Sequence, residues 1–426
     1  MAVAPTGTVP RRTRVGSVRV LRVTIAVSAL PMLVPLFSAD DGTPPLVPVA
    51  AVLGLLGGLL LWWQTVLGIR QLTRYLTADR AAVVRLHTWL GVTGAMAVLL
   101  HPLLWRLAEH QDWPYLWTLD FTWVEGRFVS LGRIAFLLFL LVWLSSTLAR
   151  YALSYRWWRY LHYLTYPITM LVFIHAHGAT GVLAGNTALL AYWWLLTVGL
   201  AGALALRLAS PLLARPYTLT MHRRAGSRIA FCTATPGQLP LPARPGEFFF
   251  VRASRWRRGH PFSVVSTADT GAVHFAVGEA GRFTRTLGTL EPGSIVDVYL
   301  DGPYGAFPDN AADSGHEAVF IAGGIGITAF AHQALHTDPE RTWLYHLVRD
   351  PAELIYDHDL AATLGQRYRP VVSAADGRLT ADAVPERLRA TATFSVCGSP
   401  RFTENWYRQL RGAGVARERI RLEQFE

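Results

Sequence analysis

The sequence contains no lysine. All 40 of its basic residues are therefore arginine, against 29 acidic residues, and the formal net charge is +11. Such basicity is compatible with nucleic-acid binding, but the arginines of the first half lie beside long apolar segments. Arginine in that position anchors the cytoplasmic ends of membrane spans. We therefore expect a lipid bilayer as the partner of this half, and no nucleic acid.

Cysteine is almost as scarce. The only two cysteines, Cys232 and Cys397, lie in the second half, which excludes a disulfide framework and a thiolate metal site. A hydrophobic fraction of 51% also excludes an ordinary soluble enzyme. Because the apolar excess lies in the first half, we expect one membrane-embedded half and one soluble half.

Six apolar segments are long enough to span a bilayer. They cover approximately residues 20–38, 46–69, 83–106, 129–149, 158–177 and 186–208. The first lacks an A-x-A cleavage site and is interpreted as a retained span. Arginines cluster before the first span, in the second and fourth connections and after the sixth span. The positive-inside rule then predicts a multi-pass protein of the plasma membrane with both termini in the cytoplasm.

Two of these spans carry two histidines each. His87 and His101 are 14 residues apart on the third span, and His162 and His175 are 13 apart on the fifth. The step of 14 residues is close to four helical turns, so that pair faces one side with roughly 20 Å between its members, and the step of 13 residues covers a similar length along the axis. A histidine in a span either packs against a neighbouring helix or binds a ligand in the bundle interior. Four at matched spacing favour the axial ligands of two haems, one near each membrane face.

The second half changes pattern twice. From Tyr217, short strand-like runs alternate with glycine and proline turns, which predicts a small antiparallel barrel. From Glu317, strands alternate with glycine turns and helices, which predicts a parallel α/β sheet. The expected domains are a cytoplasmic tail (1–19), a transmembrane domain (20–208), a linker (209–216), the barrel (217–312) and the α/β domain (313–426).

A glycine turn follows one apolar strand of the α/β half. Its glycines, Gly323, Gly324 and Gly326, would let the backbone approach a pyrophosphate, with Thr328 at the start of the following helix. The order differs from the G-x-G-x-x-G fingerprint, and the next strand ends in Arg349 instead of an acid. A cation there suits a 2′-phosphate and favours NADPH over NADH. The alternative is a tight turn followed by an exposed arginine.

Three further motifs and one terminal aromatic residue are candidate ligand contacts. They are His260-Pro261-Phe262-Ser263, Gly281-Arg282-Phe283-Thr284, Cys397-Gly398-Ser399-Pro400 and Phe425. The first two are individually also compatible with an edge strand and a turn. The third puts a thiol at the carboxyl end of the parallel sheet, where ligands bind, although a lone cysteine is more often a buried hydrophobe.

The combination resembles the ferric reductase and NADPH oxidase superfamily, in particular bacterial NADPH-oxidase-like flavocytochromes b. It consists of histidine pairs on spans three and five, followed in order by H-P-F-S, G-x-F-T, G-G-x-G-x-T and C-G-x-P, over about residues 80–425. The resemblance implies a multi-domain fold: a six-helix transmembrane haem-binding bundle, then a ferredoxin-reductase-like FAD-binding β-barrel and an α/β NAD(P)-binding domain. It also implies FAD, NADPH and two b-type haems.

The resemblance also implies residue roles. His87 and His162 would ligate the inner haem iron, and His101 and His175 the outer one. Residues 260–263 would cradle the isoalloxazine with Ser263 near its reactive edge, and residues 281–284 would approach the FAD pyrophosphate. The glycine turn would hold NADPH, with Cys397, Gly398 and Pro400 beside the nicotinamide, and Phe425 would shield the flavin. Relatives commonly have an acid where Arg282 stands, and here Glu426 follows the aromatic residue.

The implied activity is transmembrane electron transfer from cytoplasmic NADPH through FAD and the haems to an outer acceptor. Oxygen needs only a small pocket near a positive or protic group, for which the candidates are Arg106, His110 and His177. A ferric chelate needs a metal site, and Glu109, Asp112 and Asp120 are not spaced as a metal cage. Oxygen is therefore favoured. A haem-binding membrane subunit without dehydrogenase activity is a third possibility that the intact nucleotide motifs disfavour. We expect no obligate protein partner.

Overall fold

The computed structural model describes residues 18–38, 40, 42–76, 80–148, 152–179, 181–226, 228–305 and 316–424. The chain divides into a helical unit, residues 14–77 and 82–208, and a second unit that contains residues 209–426. Phe425, most of the predicted tail and the predicted domain boundary at residue 312 lie outside the described residues.

The helical unit is built from nine α-helices within the described residues. They are α1 (Val18–Ser28), α2 (Leu46–Gly68), α3 (Arg70–Leu76), α4 (Arg80–Ala108), α5 (Val124–Thr147), α6 (Tyr155–His162), α7 (Thr165–Ala179), α8 (Gly181–Ala184) and α9 (Thr187–Ala209). A 3₁₀ helix, Leu30–Leu36, continues α1. Two prolines, at positions 31 and 35, favour that tighter turn over a longer α-helix.

Five helical segments among the described residues are long and apolar enough to cross a membrane. They are Val18–Leu36, Leu46–Gly68, Ala82–Ala108, Val124–Thr147 and Thr187–Ala209. They correspond to predicted spans one to four and six. Apolar side chains on their surfaces are exposed, for example Val198 at 66%. Such exposed apolar surface is suited to contact with lipid, as in a multi-pass membrane protein.

The prediction of one unbroken fifth span over residues 158–177 is wrong. Helix α6 ends at His162, and α7 begins at Thr165. Pro167 accounts for the break: it has no N–H to donate to the carbonyl of Tyr163, four residues earlier, and its ring collides with that carbonyl. The two histidines predicted to share a helix therefore lie on separate helices.

The second unit begins with the predicted antiparallel barrel. Its strands are β1 (Arg215–Ala225), β2 (Ile229–Pro236), β3 (Phe248–Arg252), β4 (His260–Thr267), β5 (Val273–Gly278) and β6 (Ile295–Tyr304). The barrel closes in the order β1-β2-β5-β4-β3-β6, with every pair antiparallel. Alternating side chains such as Phe249, Val264 and Phe275 fill its interior. A short helix, α10 (Arg282–Gly288), lies between β5 and β6.

The parallel sheet follows, as predicted. Its strands are β7 (Ala318–Gly323), β8 (Thr342–Val348), β9 (Tyr368–Val372), β10 (Thr393–Gly398) and β11 (Ile420–Gln424). The helices are α11 (Ala331–His336), α12 (Asp357–Leu364), α13 (Ser373–Asp376), α14 (Glu386–Thr391) and α15 (Pro400–Gly412). The strand order is β11-β10-β7-β8-β9. The order reverses between β7 and β10, and ligands of such sheets bind at the carboxyl ends of strands beside that reversal.

A buried ion pair links two barrel strands. The Arg252 guanidinium donates to the Asp301 carboxylate at 2.8 Å, and both side chains are nearly inaccessible, 7% and 4% exposed. Tyr304 donates its hydroxyl hydrogen to the other carboxylate oxygen at 2.6 Å. The carboxylate therefore compensates a buried cation and a buried hydroxyl at once.

Asp301→Ala is expected to destabilise the protein by about 3–5 kcal/mol, because it leaves the Arg252 charge buried without its counter-ion. Thermal unfolding of the full-length protein in detergent, followed by circular dichroism, measures the loss. Asp269→Ala, at an exposed turn, is the control. Equal melting temperatures for the two variants would contradict a stabilising role for the buried pair.

Candidate functional site

Histidines from α4, α6 and α7 form two facing pairs. The imidazole centroids of His87 and His162 are 6.1 Å apart, and those of His101 and His175 are 6.4 Å apart. Two metal–imidazole bonds of about 2 Å, with roughly 1 Å from each nitrogen to its ring centre, place two centroids about 6 Å apart. Both pairs therefore have the spacing that a metal ion between two axial imidazoles requires.

Backbone carbonyls orient the two imidazoles of the second pair. The Nδ1 atom of His101 lies 2.8 Å from the carbonyl oxygen of Ala50, and Nδ1 of His175 lies 2.9 Å from that of Phe128. A carbonyl oxygen only accepts, so each Nδ1 carries a hydrogen and each Nε2 keeps its lone pair. Metal-bound histidines typically show this arrangement, in which the second nitrogen donates to a carbonyl or carboxylate.

Each of these contacts depends on a glycine one helical turn further along. A Cβ atom on Gly54 would lie 2.7 Å from Nδ1 of His101, and one on Gly132 would lie 2.6 Å from Nδ1 of His175. Both separations are shorter than a non-bonded contact allows. Gly54 follows Ala50 by four residues, and Gly132 follows Phe128 by four. Helices α2 and α5 thus share one feature: each has a glycine where an imidazole approaches the helix backbone.

Among the described glycines, none has the ring of His87 or His162 as a nearest neighbour of its Cβ position. His162 is the last residue of α6, and its ring stacks on Trp158 of the same helix at 5.0 Å. Trp158 therefore lies directly beside the imidazole of His162. The structure therefore brings together both pairs that the spacing predicted.

His177 faces a different neighbour. Its ring lies 4.1 Å from that of Trp194, and its Nε2 lies 3.0 Å from the hydroxyl of Thr197, both on α9. That hydroxyl donates to the carbonyl of Trp193 at 2.8 Å, so His177 is the donor to Thr197. His177 is thus a helix-packing histidine and not a member of either pair.

Two arginines lie near the C-terminal end of α4 and in the N-terminal half of α5. Arg106 stacks over Trp113 at 4.2 Å and donates to the carbonyl of Gln111 at 2.8 Å. Arg133 stacks over Tyr115 at 4.3 Å, donates to the carbonyl of Thr118 and interacts electrostatically with His175. Sequence reasoning missed Arg133 and both glycines. The sequence signal for Arg133 was its position as an arginine inside an apolar span.

The first two motifs of the barrel adjoin one another. His260 stacks on Phe283 at 4.8 Å, and burial, with a smaller contribution from Arg258, lowers the pKa of His260. Phe262 points into the barrel core, 6.1 Å from the ring of Phe283. Ser263 is buried, while Pro261 is half-buried. The aromatic ring of G-R-F-T therefore bridges His260 and Phe262 of the H-P-F-S strand.

Thr284 holds the turn that precedes α10. Its hydroxyl accepts from the amides of Ala280 and Gly281 at 2.9 and 3.0 Å and donates to the carbonyl of Gly281 at 3.1 Å. A Cβ on Gly281 would meet nothing within 4 Å, and Arg282 is exposed. The open space over Gly281 leaves room for a ligand, whereas the Thr284 hydroxyl is used in hydrogen bonds to the backbone of the turn.

The glycine turn lies at the strand reversal of the parallel sheet. A Cβ on Gly326 would lie 2.5 Å from the carbonyl oxygen of Cys397, and one on Gly323 would lie 2.9 Å from the ring of Phe402. Gly324 has φ +53°, in the left-handed region, and nothing lies within 4 Å of its Cβ position. Thr328 donates its hydroxyl hydrogen to the carbonyl of Ile325 at 2.8 Å. The turn is therefore packed against β10 on one side and open at Gly324.

The remaining candidates of the α/β half lie at or directly after the carboxyl ends of β8 and β10. Cys397 is fully buried, and burial, assisted by Glu423, raises the pKa of its thiol, which favours packing over nucleophilic chemistry. Gly398 packs against Phe402, and Pro400 is the first residue of α15. Arg349 is exposed directly after β8. Its side chain is accessible to a ligand phosphate.

Residues 53–173 match the family described as ferric reductase like transmembrane component. The matched region contains His87, His101 and His162, together with Gly54 and Gly132. This part of the helical unit is therefore similar to ferric-reductase-like transmembrane components, which supports the predicted resemblance over these residues.

Solved structures show more distant similarity. Flavohemoglobin from Malassezia yamatoensis, with bound FAD and heme, is 17% identical over 91% of this chain and 99% of its own, with a TM-score of 0.46. A ferredoxin NADP+ reductase from Neisseria gonorrhoeae, with bound FAD and NADP, is 18% identical over 50% of this chain and 98% of its own, with a TM-score of 0.41. Full-length CYP116B46 from Tepidiphilus thermophilus is 24% identical over 51% of this chain, which spans 29% of that protein, with a TM-score of 0.43. No curated protein sequence gives a significant match.

A haem held between His101 and His175 would be retained about 10- to 100-fold less well in Gly132→Ala, the usual cost of disturbing a residue that orients a ligand. The added methyl group displaces the His175 ring from the Phe128 carbonyl. Haem content and the visible spectrum of the purified protein measure the loss. Gly202→Ala is the matched control, because its Cβ would meet nothing within 4 Å. Full haem content in Gly132→Ala would contradict this role.

Proposed function

We propose that this chain transfers electrons from NADPH, on the cytoplasmic side of the plasma membrane, to O2 on the opposite side, giving superoxide or hydrogen peroxide. The observation that carries the proposal is the pair of imidazole–imidazole distances, 6.1 and 6.4 Å, inside a ferric-reductase-like transmembrane domain. When bound, FAD converts the two electrons of NADPH into single-electron steps that two b-type haems accept.

The histidine pairs hold the two haems in this proposal. His87 and His162 supply the nitrogens of the inner level, and His101 and His175 those of the outer level. The carbonyl contacts of the outer pair direct both Nε2 lone pairs away from the helices that carry the carbonyls. His101 and His175 would thus hold a haem iron through Nε2 without any change of tautomer.

The second unit supplies the dinucleotide sites. Gly323, Gly324 and Gly326 allow the NADPH pyrophosphate to approach the carboxyl end of β7, and Arg349 pairs with the 2′-phosphate. Cys397, Gly398 and Pro400 line the adjoining strand end beside the nicotinamide. The structure supports this placement because the turn lies at the strand reversal.

The flavin is assigned to the barrel. Residues 260–263 would border the isoalloxazine, with Ser263 at its reactive edge, and the open face at Gly281 would receive the pyrophosphate. The stacked rings of His260 and Phe283 give this part of the barrel a rigid aromatic edge. Phe425 retains its proposed role as a shield of the flavin.

The hydrogen bonds of Asp120, one of the acids considered as an iron ligand, favour oxygen over a ferric chelate as the acceptor. Both carboxylate oxygens of Asp120 are engaged: one accepts from the amide and hydroxyl of Thr122 at 2.9 and 2.6 Å, the other from the Trp123 indole at 2.7 Å. Among the described residues, no group of three or more histidine, cysteine or acidic side chains is placed to hold a metal ion. A small neutral acceptor needs no such group.

The activity is tested on full-length protein in detergent, supplied with FAD and haem. Addition of NADPH under argon is expected to reduce both haems, and admission of oxygen to reoxidise them with formation of superoxide. Ferric-chelate reduction is measured in parallel, with and without oxygen. Haem reduction without superoxide, together with oxygen-independent ferric reduction, would replace O2 by iron as the acceptor. Failure of NADPH to reduce any haem would contradict the electron path itself.

His101→Ala is expected to remove the outer haem and to reduce the rate of superoxide formation by at least about tenfold, while NADPH still reduces the flavin and the inner haem. The reason is loss of one of two axial nitrogens at that level only. Anaerobic spectra under NADPH titration measure each step. His177→Ala, on the same helix as His175 but bonded to α9, is the control and should keep both haems. Two intact haem signals and full activity in His101→Ala would refute the outer assignment.

A further inference from the structure

One fully buried histidine lies beneath the glycine turn. His346, on β8, is 0% exposed, and its Nε2 lies 3.2 Å from the carbonyl oxygen of Gly324. Because a carbonyl only accepts, Nε2 carries a hydrogen. Burial lowers the pKa of His346 to about 4, so at neutral pH the ring is uncharged and its single N–H serves Gly324.

Tyr368 lies on the other side of this ring. Its hydroxyl is 3.4 Å from Nδ1 of His346 and donates its one hydrogen to the Asp357 carboxylate at the shorter distance of 2.8 Å. Nδ1 carries no hydrogen, so its approach to Tyr368 is a polar contact and not a hydrogen bond. Tyr368 begins β9, and Asp357 is the first residue of α12. Burial, and then Asp357, raise the pKa of the Tyr368 hydroxyl, which keeps its hydrogen. The hydrogen bond that orients the ring is therefore the one to Gly324.

The carbonyl of Gly324 decides where the next amide points. A trans peptide is planar, and its C=O and N–H point in opposite directions. When the Gly324 oxygen faces His346 in the interior, the N–H of Ile325 faces away from the interior. Gly324 has φ +53°, which glycine adopts without steric cost but without a strong preference. An external contact is therefore needed to hold this peptide in one orientation.

We propose that His346 is a positioning residue for NADPH: it fixes the Gly324–Ile325 peptide so that the Ile325 amide is presented to the dinucleotide pyrophosphate. The proposal rests on the proposed use of the glycine turn for NADPH. It divides dinucleotide recognition into two independent parts. His346 governs the pyrophosphate end through the turn, and Arg349 governs the 2′-phosphate.

The test compares NADPH with adenosine 2′-monophosphate, a competitor that has the 2′-phosphate but no pyrophosphate. In His346→Phe, the KM for NADPH in flavin reduction should rise about tenfold, the effect of one lost orienting hydrogen bond. The limiting rate at saturation and the inhibition constant of adenosine 2′-monophosphate should stay within twofold of wild type. In His346→Gln, whose amide N–H can donate to Gly324, the KM should return most of the way.

Arg349→Ala is the matched control and should weaken NADPH and adenosine 2′-monophosphate together. An unchanged KM in His346→Phe would overturn the proposal. So would equal weakening of both ligands by that variant, since this indicates general damage to the domain. If wild-type protein binds neither ligand, the proposed function and this inference both fail, a result distinct from a wild type that binds both.

His346→Leu provides a second variant should His346→Phe not fold. It removes both ring nitrogens with a smaller side chain, and it should raise the KM for NADPH by about tenfold without change for adenosine 2′-monophosphate. A KM equal to that of wild type would overturn the role of the contact between His346 and Gly324.

Discussion

The hydrogen bond from an imidazole to a helix carbonyl is the contact on which the helical unit depends. That carbonyl already accepts the N–H four residues later, so a histidine can reach it only where no side chain covers the backbone. Gly54 and Gly132 provide this access on two different helices. The contact does three things at once: it fixes the tautomer, satisfies a buried donor and selects the direction of the remaining nitrogen. A lone histidine in an apolar span would have none of these.

The second unit also combines glycines with a histidine, although its histidine contacts a turn and not a helix. Gly326 lets one loop pack against the backbone of β10, and Gly324 adopts a conformation that other residues rarely take. A buried side chain then supplies the specificity that glycine lacks, because His346 holds the carbonyl in one direction. Glycine provides close approach, and an imidazole donor provides orientation. In the helical unit two imidazoles face each other; in the second unit a buried imidazole contacts a turn.

The sequence predicts the elements of this fold better than their mutual contacts. The antiparallel barrel is predicted and observed, because short apolar runs alternate there with glycine and proline turns. The helix break after His162 was missed because the segment is apolar throughout, and hydropathy does not register the missing N–H of Pro167. Histidine spacing indicated the pairs, since a helical period relates residues on one element. The glycines that let the imidazoles reach the helix carbonyls could not be predicted, because each imidazole and its carbonyl are 51 or 47 positions apart in the chain.

The break between α6 and α7 gives the two histidine levels different mechanical character. His87 and His101 share the continuous helix α4, so any axial movement of that helix shifts both. Their partners, His162 and His175, lie on separate helices joined through Tyr163 and Leu164. One side of each pair therefore lies on a single helix, and the other on two helices separated by a two-residue break. The distance between the imidazoles of one pair can change without imposing the same displacement on the other pair.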